Sequence, residues 1–151
     1  MKKGFVVLMC VFVCIIFGCA NKDAQTSEPS PIDTYMISVA EQATSIRDYL
    51  ENEAMTQYDM NMASKELYEL WDEALNYLWS ELKTTLSEDD YKELQSEQLT
   101  WITEKETAVN EAGKDYEGGS MYSLIIYSEA ASITEERVYL LYDILRGYTN
   151  D

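Results

Sequence analysis

Leu67-Tyr68-Glu69-Leu70-Trp71-Asp72-Glu73-Ala74-Leu75-Asn76-Tyr77-Leu78-Trp79-Ser80-Glu81-Leu82 is the stretch whose pattern decides the fold. Extended to both sides, its apolar positions are Ala63, Leu67, Leu70, Trp71, Ala74, Leu75, Leu78, Leu82 and Leu86. Steps of three and four place all of them on one broad stripe of an α-helix, with the charged residues opposite. The spacing predicts a helix over about Tyr58 to Leu86. Nothing in the chain alternates with period two for long enough to propose a strand, and the β-branched pair Ile125-Ile126 is too short to change this.

The same reading extends outward. A helix over about Asp33 to Asn52 puts Met36, Ile37, Ala40, Ala43, Ile46 and Leu50 near one face. Downstream, Ser87 can accept from free backbone N–H groups, and Glu88-Asp89-Asp90 suit the positive end of a helix. That third helix carries Tyr91, Leu94, Gln98, Trp101, Ile102 and Val109 along one side. It is expected to fade within residues 112–119, where Gly113, Gly118 and Gly119 mark a turn. A fourth helix over about Ser120 to Arg146 turns Met121, Leu124, Ile125, Ser128, Val138, Leu141, Tyr142 and Leu145 inward, with Gly147 as terminator. Pro29 and Pro31 are the only prolines, so nothing later interrupts a helix. The expectation is an all-α fold, a single small bundle of about four helices over residues 32–151.

The N-terminus has a different character. Lys2-Lys3 precede an apolar run from Phe5 to Phe17 that ends Ile16-Phe17-Gly18-Cys19, followed by polar Asn21-Lys22-Asp23. The run resembles a secretory signal ending in a bacterial lipobox. Its small residue admits the signal peptidase, and the Cys19 thiol takes a diacylglyceryl group. A membrane-spanning anchor is the rival reading, because residues 4–20 approach the roughly 17 apolar residues that spanning requires. The lipobox favours cleavage after residue 18, with Cys19 the lipid attachment site and residues 19–31 a polar tether. Two acyl chains meet the condition for stable anchoring. The domain is then exported and held at the cell membrane or outer membrane. Ala20 carries no retention signal of the Asp type.

Processing also settles the cysteines. Cys10 and Cys14 leave with the signal and Cys19 is acylated, so no thiol remains for a disulfide. The chain has 11 basic and 28 acidic side chains. Removing residues 1–18 takes two lysines and no acid, which leaves 9 against 28, a net charge of −19. Such a surface repels nucleic acid and anionic headgroups and attracts cationic partners, although acidity also serves solubility alone. With no histidine and no mature thiol, neither a Ser-His nor a Cys-His pair can form, and nitrogen-ligated zinc is excluded. The acid clusters Glu88-Asp89-Asp90 and Asp115/Glu117 do not have EF-hand spacing. No catalytic residue, metal or cofactor is expected.

Three patches resemble the LprI-like lysozyme-inhibitor family. The first is Thr56-Gln57-Tyr58-Asp59-Met60-Asn61, with Asp72 three residues before the Leu75-Asn76 pair and Tyr77 behind. Leu94-x-x-x-Gln98-x-x-Trp101-Ile102 is the second. The third comprises Gly118-Gly119-Ser120-Met121 and Thr134-x-x-Arg137 with Leu140 downstream. The resemblance spans about residues 54–146 and implies a helical envelope domain that binds a protein partner, a lysozyme above all. Family members commonly carry cysteines near Met62, near Ala108-Val109 and near Ala130-Ala131. This chain has none there, and apolar packing is expected to replace the bridges.

Asp72, Asn76, Gln98 and Arg137 lie on or beside apolar stripes. They make either a recognition site or hydrogen bonds that join helices, and the obligation of buried polar groups to find partners favours the second. Trp71 and Trp101 share faces with leucines, as core residues do. Gly119-Ser120 suits a turn glycine and a helix cap better than an anion nest. The leading expectation, with the activity implied by the family resemblance, is a lipid-anchored, acidic domain that blocks a basic lysozyme. The alternatives are a structural adaptor docking to another envelope component, and a small-ligand module, which requires a sizeable apolar pocket.

Overall fold

The computed structural model describes residues 28–149 of the 151. Four long helices account for nearly all of them: α1 (Pro31–Asn52), α2 (Gln57–Thr85), α3 (Glu88–Gly113) and α4 (Tyr122–Thr149), with a short 3-10 turn at Lys114–Tyr116. No strand occurs among the described residues, so the all-α class holds. Cys19, the signal and most of the tether fall outside them. No described helix is long and apolar enough to cross a membrane.

Each of the first three helices starts where its sequence offers an acceptor. Ser30 takes a bond from the Asp33 backbone N–H at 3.2 Å, and Asp33 answers by accepting from the Ser30 N–H at 3.1 Å. Thr56 and Asp59 repeat this reciprocal capping box, and Ser87 caps α3. Because the Ser30 box sits directly ahead of Pro31, whose fixed φ suits the first helical position, α1 begins two residues before the expected Asp33. The tether accordingly ends at Ser30.

Helix directions follow from cross-contacts. Tyr35 packs on Tyr77, Arg47 pairs with Glu135, and Tyr142 donates to Asp33 at 2.5 Å, so α1 runs antiparallel to α2 and α4. On α3, Tyr91 meets Trp79 and Lys105 lies over Tyr68, which makes it antiparallel too. Tyr68 stacks on Tyr127, and Asn61 donates to the Ser120 carbonyl, so α2 and α4 run parallel. They form the most extensive helix pair, with α1 packed chiefly on α2 and α3 on α4. The packing order is therefore α1–α2–α4–α3, with the α2–α4 pair at its centre.

Small residues permit that approach. Ala63, Ser64 and Ala74 of α2, and Ala130, Ala131 and Thr134 of α4, are all buried. Trp71, Leu78, Leu82, Val138 and Leu141 fill the core between them and are fully enclosed. The expected stripe of α2 is correct almost throughout. Others shift. On α1, Ile32 and Val39 are buried, while Ile37 is half exposed. In the first half of α4 the inward residues are Ala130 and Ala131, whereas Met121 and Ser128 are exposed. One glycine departs from its expected role. Gly147 lies inside α4, which continues to Thr149. Gly113 is the buried last residue of α3, where a Cβ would come within 2.6 Å of Ile126 Cγ2 and 2.9 Å of Tyr122 Cε2. Among the described residues only Gly118 has a positive φ, 74°, and it makes the turn.

Candidate functional site

The residues singled out by sequence fall into three places. Gln98, Trp101 and Arg137 sit along the seam of α3 and α4, and Thr134 is buried one turn before Arg137 on α4. Gln98 is buried one turn before Trp101, and its side-chain oxygen accepts from Arg137 Nε at 2.8 Å. The Arg137 guanidinium also lies 5.8 Å from the Trp101 ring centre, a cation–π distance. Burial pulls the Arg137 pKa below its ordinary value, and nearby Glu97 opposes that shift. Two polar atoms on this stretch of α4, Arg137 Nη2 and Thr134 Oγ1, are enclosed without a hydrogen-bond partner among the described residues.

Asp72, Leu75 and Asn76 lie elsewhere. Asn76 donates to the Asp72 carbonyl at 2.8 Å and to its carboxylate at 3.1 Å, both within α2 on its solvent side. This pair therefore joins no helices, unlike Gln98 and Arg137. Tyr68 Oη sits 3.4 Å from the same carboxylate, and its pKa is raised by burial first and by Asp72 second. Leu75 is buried in the core. Gly119 and Ser120 occupy the α3–α4 turn. The Gly119 N–H donates to the Tyr116 carbonyl, and the Ser120 carbonyl accepts from Asn61 at 3.0 Å. Ser120 thus ties the turn to α2, and α4 starts two residues later at Tyr122.

Lys105 is the residue at this seam that sequence reading passed over. Its ammonium lies 4.9 Å from the Trp101 ring centre and 5.4 Å from that of Tyr68. The spacing Trp101-x-x-x-Lys105 places the two one helical turn apart, which was the available signal. Lys105 divides two open surface grooves. One, about 340 Å³, runs between α3 and α4 past Trp101, Ala108, Ile133 and Leu140. The other, about 420 Å³, includes Tyr68, Val109, Ile126 and Ala130. Val109 and Ala130, both at cysteine-bearing regions of the resembled family, thus share a groove wall. Both hollows open to solvent beside a filled core. Among the described residues no cluster of acids and other ligands is arranged to hold a metal ion.

Gln98 and Trp101 on α3, with Arg137 on α4, are the parts of the sequence signature that the fold brings together, and they join α3 to α4. No curated protein and no solved structure gives a significant match to the chain. The family model described as Lysozyme inhibitor LprI matches residues 50–141, from the end of α1 to the core of α4. The chain belongs to the LprI lysozyme inhibitor family.

Proposed function

We propose that the chain is an exported lysozyme inhibitor, held at the envelope by lipid on Cys19. The family match over residues 50–141 carries this reading, since the family's description names both the activity and the partner. Charge supplies a physical basis. A domain of net charge −19 after processing steers a basic enzyme toward itself, raising encounter rates by about 10–10³-fold at low ionic strength. Lipid attachment would concentrate the inhibitor where the wall is attacked, and the lipobox at residues 16–19 supports that placement.

Purified protein should slow cell-wall lysis by a basic lysozyme at micromolar concentration, with the effect weakening as salt rises. Unchanged lysis rates at low salt would remove the inhibitor reading. Mass spectrometry of the native N-terminal peptide tests the anchor separately: an acylated Cys19 as first residue is expected, and an intact Met1 with a free thiol would contradict it.

A further inference from the structure

The antiparallel pairings bring four chain segments to one end of the bundle: the end of α1, the start of α2, the end of α3 and the turn into α4. This pole lies opposite Ser30, through which the domain joins its tether. At 1.5 Å per residue the 29 residues of α2 separate the two ends by about 43 Å. Six of the twelve large apolar side chains exposed among the described residues fall on or beside the distal pole. Met55 is 88% exposed and Tyr58 71%, and Met62 and Met121 are also open to solvent. Tyr58 and Met62 are four residues apart on one face of α2. The bond from Asn61 to the Ser120 carbonyl brings Met121 alongside that helix.

Methionine is concentrated here. The mature chain has five, at 36, 55, 60, 62 and 121, and three of them stand exposed at this pole while only Met36 is in the core. Unbranched, polarisable side chains of this kind adapt to a partner's surface, and tyrosine adds a rigid amphipathic contact. Exposed apolar clusters on an otherwise polar monomer mark interaction sites. Acidic groups dominate the charge around this cluster. Glu51, Glu53, Asp115 and Glu117 are exposed, and the nearby cations Lys65 and Lys114 are engaged by Glu69 at 2.9 Å and by Glu111 at 3.3 Å. The surface is thus an apolar centre with an anionic rim, complementary to a cationic protein and repelled by anionic lipid or by a second copy of the same pole.

We propose that this distal pole, centred on Met55, Tyr58, Met62 and Met121, is the face that docks the basic lysozyme. The inference rests on the inhibitor reading and names its binding surface. The pole's distance from the tether leaves it accessible to a soluble enzyme.

The test uses the full chain purified in detergent, with inhibition of a basic lysozyme as readout. The triple substitution Met55→Ala, Tyr58→Ala and Met62→Ala leaves net charge unchanged, so steering is preserved. The control, Ile37→Ala with Leu99→Ala, truncates exposed apolar side chains on other faces. The proposal expects the triple variant to lose at least about tenfold in inhibition, consistent with truncation of central contacts, and the control to match wild type. Equal inhibition by wild type and triple variant would overturn the pole while leaving the inhibitor reading intact. Sedimentation that shows wild-type dimers and monomeric triple variant, with unchanged inhibition, would make the pole an interface between copies and also overturn it. No inhibition by wild type would overturn both.

Discussion

Gln98→Leu removes the acceptor at the α3–α4 seam while keeping the side chain's bulk. In the native structure Gln98 is 7% exposed and accepts from the Arg137 guanidinium at 2.8 Å. Hydrogen bonds to a charged group contribute about 1.5–3 kcal/mol. Here the loss would strand Nε beside an Nη2 that already lacks a partner. We expect Gln98→Leu to cost about 2–3 kcal/mol. Arg137→Met keeps the apolar stem against Trp101 but leaves the Gln98 oxygen unsatisfied, a cost of about 1–3 kcal/mol. The double variant replaces a polar pair by two apolar side chains, which is often close to neutral. Urea unfolding of wild type, both single variants and the double variant, followed by circular dichroism, gives the coupling. The double variant should be more stable than the sum of the single losses implies, by at least about 1 kcal/mol. Additivity to within about 0.5 kcal/mol would refute the clamp.

Gly113→Ala should destabilise by about 1–3 kcal/mol, because its Cβ collides with Ile126 and Tyr122. Gly147→Ala, with nothing within 4 Å of the new Cβ, should raise stability by up to about 1 kcal/mol. Thermal melts of the two variants check the contrast, and equal shifts would contradict it. Thr134→Val should be neutral or stabilising by about 1 kcal/mol, since the hydroxyl it removes is fully buried and unpartnered; a marked loss in urea unfolding would show that the hydroxyl has an acceptor. The Asp33 pKa is lowered below its ordinary 3.8, first by the Tyr142 hydroxyl and then by the Ser30 backbone N–H. A lowered folded pKa contributes stability present above the unfolded value and lost as pH falls through the folded one. Tyr142→Phe should therefore flatten the acid side of the stability profile below about pH 4. An unchanged slope there would count against this contact.

The helices were legible because caps and periodicity are local. Ser87 with its acids, and the leucine ladder of α2, specify an element without reference to the rest of the chain. Which helix packs on which is a different kind of information. Period 3.6 gives a face but not its partner, and the close parallel pairing of α2 with α4 depends on Ala130, Ala131 and Thr134, residues too small to stand out in an apolar stripe. Gly113 ends α3 within the expected turn region, although its burial against a tyrosine and an isoleucine of another helix is not legible locally, whereas α4 runs through Gly147 to Thr149. Of the signature residues, Gln98 and Arg137 meet across the seam, whereas Asp72 and Asn76 satisfy each other four residues apart. The exposed pole was not legible. Methionines 55, 62 and 121 are distant in sequence until the antiparallel packing gathers them.

Titration of a basic lysozyme with the purified chain, by calorimetry at low and at physiological salt, bears most directly on the role assigned here. A one-to-one complex whose affinity falls as salt rises is the predicted result. No detectable binding at low salt, where attraction between the −19 domain and a cationic enzyme is strongest, would contradict it.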